Sequence, residues 1–192
     1  MSGIKQPILD VMNRLKLIQV KNQDGNMVSL HVSKFKNQIE REKQGEVLTY
    51  SRPAAFVQCM NNVSYQQLGM GIRNADLGFK IHLVDDFYND ENNENFDLDL
   101  AIYDLRDRII SPEEGLSQFC PSQCGQLNCI TEDEDQDPVN VNCYVLDFVC
   151  NFTDSTGSNL NNMPFEETDL SLEIEQGGIP VPEKEHNPYH IL

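Results

Sequence analysis

Ile8, Met12, Leu15 and Ile18 recur at spacings of four, three and three, with Lys and Arg between them. That rhythm lays one apolar stripe along a helix, and Pro7 suits a first turn, so an amphipathic helix is predicted to begin near Pro7. Asp24-Gly25-Asn26 then punctuates the chain, and Met27 to Val32 has the composition of a strand. Residues 34–46 are polar and mixed in charge, with one turn residue at Gly45, before Val47-Leu48-Thr49-Tyr50 resumes strand character; a long exposed hairpin or loop is expected there. Ala54 to Met60 is nearly continuously apolar and follows Pro53, which reads as a strand buried on both faces in mid-sheet. Leu77, Phe79, Ile81 and Leu83 alternate with Gly78, Lys80 and His82, the period of two of a half-buried strand whose register is well specified. Leu98, Ile102, Leu105 and Ile109 return to helical spacing behind the acidic start Asn95, Asp97 and Asp99, and Ser111-Pro112 ends the run; a second helix over about 96–110 follows. Val141 to Phe152 is the last strong strand, with Tyr144, Leu146, Phe148 and Cys150 on one face and Cys143, Val145, Asp147 and Val149 on the other.

Taken together, these elements predict an α+β fold, a small mixed or antiparallel sheet with two helices on one face. Between the second helix and the last strand, FCPSQCGQLNCI leads into Glu132-Asp133-Glu134-Asp135-Gln136-Asp137, which reads as a solvated loop. After the last strand the composition turns to Asn, Asp, Glu, Gly, Pro and Ser with scattered apolar residues, a bias that does not build a core. The predicted organisation is a core over 1–153, with 34–46 protruding, and an extended acidic C-terminal arm over 154–192. Such an arm is expected to lie across neighbouring subunits, anchored by Phe165, Leu170, Leu172, Ile174, Ile179, Val181 and Tyr189.

Composition narrows the function. The 192 residues suit one domain and a remainder, at roughly 150 residues per domain. Fourteen Lys and Arg stand against 31 Asp and Glu, a formal charge of -17, which disfavours tight binding of nucleic acid through its phosphates. The charge is also unevenly distributed. Residues 1–52 carry nine basic and five acidic side chains, a balance of +4, leaving five against 26, a balance of -21, for the rest. If folding keeps these parts on different surfaces, the basic end of one copy can meet the acidic end of the next, which favours head-to-tail rings over two-fold pairs. The same imbalance also serves a monomer by keeping it soluble. No apolar run approaches the roughly 18 residues of a membrane span, and the start lacks the order of a signal peptide, so a cytoplasmic site of synthesis and no membrane partner are expected. In that compartment the six cysteines are read as thiols, Cys143 and Cys150 as core thiols.

Candidate chemistry is sparse. Cys120, Cys124 and Cys129 are spaced loosely for a zinc knuckle and lack a completing pair. The 132–137 run lacks the alternating ligands and glycine of an EF-hand loop. His82 and His31 read as satisfied strand residues, while His186 and His190 lie in the arm. No nucleophile elbow is present, and Leu68-Gly69-Met70-Gly71 lacks the lysine and helix of a phosphate loop, so it reads as a turn. Asp85-Asp86 at a strand end could hold magnesium if the Asn-rich stretch 89–95 supplied a third carboxylate. No catalytic, cofactor or metal residue is assigned, and a non-enzymatic protein is expected. Two other classes stay open: an acidic DNA mimic that inhibits a basic host protein, and a metal-dependent hydrolase built on Asp85-Asp86 and the 132–137 run.

Five stretches carry a resemblance. They are Arg52-Pro53-Ala54-Ala55-Phe56-Val57; Leu68-Gly69-Met70-Gly71 leading to Phe79-Lys80-Ile81-His82-Leu83-Val84; Phe87-Tyr88-Asn89; Tyr103-Asp104-Leu105-Arg106-Asp107; and Leu146-Asp147-Phe148-Val149-Cys150-Asn151-Phe152. Their order, over roughly residues 8–155, resembles the tail-terminator-like neck and tail-completion proteins of tailed bacteriophages, especially those of Bacteroidetes phages and prophages, including crAss-like ring proteins. The resemblance implies a virion protein made in the host cytoplasm, a homo-oligomeric ring of six or twelve copies, contacts with other phage neck, portal or tail proteins, and a hole through which DNA passes without tight binding. On that reading Lys34, Lys36, Arg41 and Lys43 contact an acidic surface of a neighbouring subunit or ring.

Overall fold

The computed structural model describes residues 3–21, 26–46, 49–60, 63–86, 100–135 and 141–157. Helix α1 (Lys5–Leu15) is followed by strands β1 (Gln19–Lys21), β2 (Met27–Ser29) and β3 (His31–Lys34), helix α2 (Gln38–Lys43), and strands β4 (Ala54–Cys59), β5 (Gln66–Gly69) and β6 (Ile72–Asp86). Helix α3 (Ala101–Ile110) and strands β7 (Asn128–Asp135) and β8 (Val141–Asp154) complete the described part. The architecture is α+β. One six-stranded mixed sheet has the order β3-β4-β6-β8-β7, with β5 beside the start of β6, and β1 pairs β2 in a separate small sheet.

The alternating stretch 77–83 forms the middle of the long strand β6, which pairs antiparallel with β4 on one side and β8 on the other. Leu77, Phe79, Ile81 and Leu83 are fully buried on one face, opposite Leu146, Phe148, Cys150 and Phe152 of β8 and Ala55 and Val57 of β4. Helices α1 and α3 close this face, α1 through Val11 and Leu15 and α3 through Ile102, Leu105 and Ile109. The two-helix layer is therefore as the apolar spacing predicted. Arg14 in the last turn of α1 donates to the Gly115 carbonyl at 3.1 Å and to that of Glu113 at 2.5 Å, which ties α1 to the turn that follows α3. That turn requires a glycine. A Cβ on residue 115 would lie 2.2 Å from the Ile109 carbonyl oxygen and 2.4 Å from that of Arg108.

Several expectations are corrected. The segment 34–46 is not a hairpin: β3 and β4 run parallel, and α2 lies in the crossover between them. Gln38-Ile39-Glu40-Arg41-Glu42-Lys43 is made of helix-tolerant residues, and Ile39 anchors it by burial among Ala54, Phe56, Val84 and Cys143 on the second face of the sheet. Met27 to Val32 is not one strand but two in different sheets, divided at Leu30, whose amide donates to Ile18. The acidic run is no loop over 132–135; it forms the end of β7, paired with β8. Thr49 and Tyr50 are not in a strand, and 47–48 lie outside the described residues. The described part of the second helix begins at Ala101, and the expected start at 96–99 lies outside the described residues, as do 87–95 and the arm from 158 onward.

The glycine-bounded turn at 68–71 is as expected. Gly69, Met70 and Gly71 all have positive φ, joining β5 to β6 in a hairpin. Its tip presents Leu68 and Met70 to solvent.

Candidate functional site

The second face of the main sheet lies opposite α1 and α3, and its two outer strands are β3 and β7. On the second face, α2, Phe35 and Tyr50 are the described groups that cover the end containing Ala54, Phe56, Val84 and Cys143. Beyond that end the strand alternation brings Gln58, Met60, Asn74, Asp76, Gly78, Lys80, His82, Val145, Asp147, Val149, Asn151 and Thr153 to the surface opposite the helices. Asp76, Asn151 and Thr153 are exposed there, as are Thr131 and Asp133 of β7. Met60 crosses Gly78, where a Cβ would lie 2.6 Å from the methionine sulfur.

His82 sits in the half-buried centre of this face. Its ring stacks on Phe35 at 3.9 Å between centroids and 7° between planes, and Nε2 is 2.9 Å from Gln58 Oε1. Burial pushes its pKa down to about 4, helped by neighbouring Lys80 and opposed by Asp147. The imidazole is thus neutral at physiological pH and is held as a packing group. Beside it Lys80 Nζ lies 3.4 Å from Asp147 Oδ1, and Asp147 Oδ2 accepts from Thr131 Oγ1 at 3.0 Å. The lysine charge is therefore matched within the face, leaving Asp76 and Asp133 as exposed carboxylates on it.

At one outer edge of the sheet, β3 carries exposed Lys34, with exposed Lys36 just beyond. The four cations singled out from the sequence are not equivalent. Arg41 forms a forked pair with Glu46, which lowers the Glu46 carboxyl and raises the guanidinium. Lys34 and Lys36 form no ion pair among the described residues, and the side chain of Lys43 lies outside them. Arg52 pairs with Glu42, which also accepts from the Tyr50 hydroxyl at 2.5 Å; burial and this bond push the Tyr50 phenol up to about 12.

At the opposite edge, β7 is acidic. Glu132 accepts from Arg106 of α3, from Nε at 2.8 Å and from Nη2 at 2.6 Å, and from the Tyr144 hydroxyl at 2.9 Å, so its carboxyl is held below the usual range chiefly by the arginine. Glu134 accepts from Tyr103 of the same helix. By the register with β8, Glu132 and Glu134 project on the helix side and Asp133 on the open side. No strand signal marks these residues in the sequence, since a run of carboxylates is solvated unless cations and phenols from another element meet it. The helical spacing that places Tyr103 and Arg106 on one side of α3 was the available clue.

The remaining candidates do not assemble. Among the described residues no three His, Cys, Asp or Glu side chains form a set able to hold a metal ion. Asp85 is 8% exposed at the end of β6, the Asp86 side chain lies outside the described residues, and so does the 89–95 stretch invoked as its partner. Cys124 shares a hydrogen bond with Cys150, which together with burial pushes the Cys150 thiol well up; Cys143 and Cys150 are core thiols as predicted. His31 packs against Tyr50 and Phe56, while His186, His190 and the anchors Phe165, Leu170, Leu172, Ile174, Ile179, Val181 and Tyr189 lie outside the described residues. No helix of the described residues is long and apolar enough to cross a membrane.

No protein-family model matches this chain, and no curated protein matches it.

Proposed function

We propose that this chain is a structural subunit of a bacteriophage neck or tail ring, a homo-oligomer of six or twelve copies around a channel that passes DNA. The observation that carries the reading is the asymmetry of the main sheet. One face is closed by α1 and α3, and on the other the described residues beyond α2 are largely polar, with Asp76 and Asp133 exposed and Lys80 paired with Asp147. A duplex facing such a surface meets carboxylates and neutral amide and hydroxyl groups. Its phosphates gain no counter-charge and release no condensed ions, so DNA slides past without being held. The stretches that resemble tail-terminator-like proteins include much of β4, the centre of β6 and half of β8, three strands of this sheet, together with part of α3.

In this reading the protein has no catalytic role, and its partners are copies of itself and the adjoining neck, portal or tail proteins of the virion. Light scattering on the eluting native protein, across a range of salt concentrations, tests it. The expected result is a closed oligomer of defined mass at low salt that loosens as salt rises. A monomer at every salt and protein concentration, combined with tight salt-sensitive capture of a basic host protein, would replace this reading with the DNA-mimic one.

A further inference from the structure

We infer that the outer edge of β7 in one copy pairs with the outer edge of β3 in the next, so that the sheet runs on from subunit to subunit. The inference rests on the ring reading for closure of the assembly, but the pairing itself is argued from the two edges. Backbone groups on the far side of β3 have no strand partner among the described residues, and of them the Lys34 carbonyl accepts from the Gln38 side chain at 2.9 Å. The amides of His31 and Phe35 donate inward, to the carbonyls of Pro53 and Val57, so by the alternation of a strand those of Val32 and Lys34 point outward. The inner neighbour of β7 is β8, and no described strand lies on its other side. Leu127 exchanges hydrogen bonds with Gln118 and Phe119, and the free stretch begins just after it.

Free edges of this length invite addition of a strand, and proteins commonly guard them with charge. Here the guards differ in sign. Two β7 edges facing each other would set Glu132, Asp133 and Glu134 against themselves, and two β3 edges would do the same with Lys34 and Lys36. Both two-fold pairings are disfavoured, while the mixed pairing brings the lysines to the carboxylates. Direction also agrees. Following the sheet from β3, which is parallel to β4, through three antiparallel steps leaves β7 antiparallel to β3. A rotation from one copy to the next about an axis along the strands preserves those directions, so the new joint is antiparallel. Lys34 lies on the helix side of β3, in register with Val57, the same side as Glu134 on β7, so the opposite charges meet on one face of the continued sheet.

The test uses two full-length variants with one blocked edge each, Lys34→Glu with Lys36→Glu, and Asp133→Lys with Glu134→Lys. All four positions are exposed, and circular dichroism with thermal melting checks that each variant is folded. Sedimentation equilibrium at low salt is expected to find wild type assembled and each variant alone monomeric. Their equimolar mixture should assemble again, because the intact acidic edge of the first meets the intact basic edge of the second and the two reversed edges are complementary to each other. If either variant alone assembles as wild type does, the edge pairing is wrong and the ring reading survives with another interface. A mixture that stays monomeric likewise overturns the pairing. Wild type that is monomeric at the highest concentration overturns both.

Discussion

Replacing His82 by Phe should flatten the acid sensitivity of this protein. In the fold the imidazole is neutral, with its pKa pushed down to about 4 by burial first and by Lys80 second, whereas an unfolded histidine titrates near 6.5. The unfolded chain therefore binds more protons than the native one between those values. Stability conferred by the neutral ring is complete above about pH 6.5 and is lost as the pH falls toward 4. A single site with these two values loses about 2 kcal/mol between pH 7 and pH 5. His82 is only half-buried, so solvent screening brings the expected loss nearer 1 kcal/mol. Phe in its place keeps the stack on Phe35 and removes the titration, at the cost of the bond to Gln58. Urea unfolding of both proteins at pH 7, 6 and 5 measures the difference in slope, and a proton NMR titration follows the ring directly. Equal pH dependence in the two proteins, or a ring that titrates near 6.5, would refute the argument.

Two further substitutions probe the frame of the site. Gly115→Ala should cost about 2–3 kcal/mol, because the new Cβ meets the Ile109 and Arg108 carbonyls and backbone cannot swing aside; a melting temperature within about 1 °C of wild type would contradict it. Arg106→Ala removes the forked bond to Glu132 and should cost about 0.5–1 kcal/mol, a modest sum for a partly exposed pair. Its clearer signature is local: amide exchange should quicken along β7 and stay unchanged in the centre of β6.

The parts of the fold that were legible are those where burial and local pattern agree. Leu77 to Leu83 and Tyr144 to Phe152 alternate because one side of each strand faces α1 and α3, and Ile102, Leu105 and Ile109 keep helical spacing for the same reason. The buried stripe on α1 is rotated slightly from the expected one: Val11 and Leu15 are fully buried, while Ile8 and Met12 pack at the margin. The crossover through α2 carries no periodic signal because Ile39 is the one core residue among its described side chains, although its residue types favour a helix. β7 carries none for a different reason. Thr131-Glu132-Asp133-Glu134-Asp135 has low strand propensity, and its conformation is set by pairing to β8 and by Arg106, Tyr103 and Tyr144, all distant in sequence.

The candidate site was legible in outline only. The sequence separates a basic beginning from an acidic remainder, but it does not reveal how much of that basicity is consumed inside the fold. Arg14 is spent on the carbonyls of Glu113 and Gly115, Arg41 on Glu46 and Arg52 on Glu42, so the cations of the 34–46 segment without an ion pair among the described side chains reduce to Lys34 and Lys36. Nor does it reveal that these lysines and the carboxylates of β7 stand at opposite edges of one sheet. That arrangement arises from the strand order, which brings the last hairpin to the far side of β6 from β3.

The central claim is that copies of this chain close into a ring around an open channel, and electron microscopy of the purified protein in negative stain at low salt tests it most directly. The account predicts annular particles of uniform diameter with a stain-filled centre. Isolated compact particles, or pairs related by a two-fold axis, would contradict it.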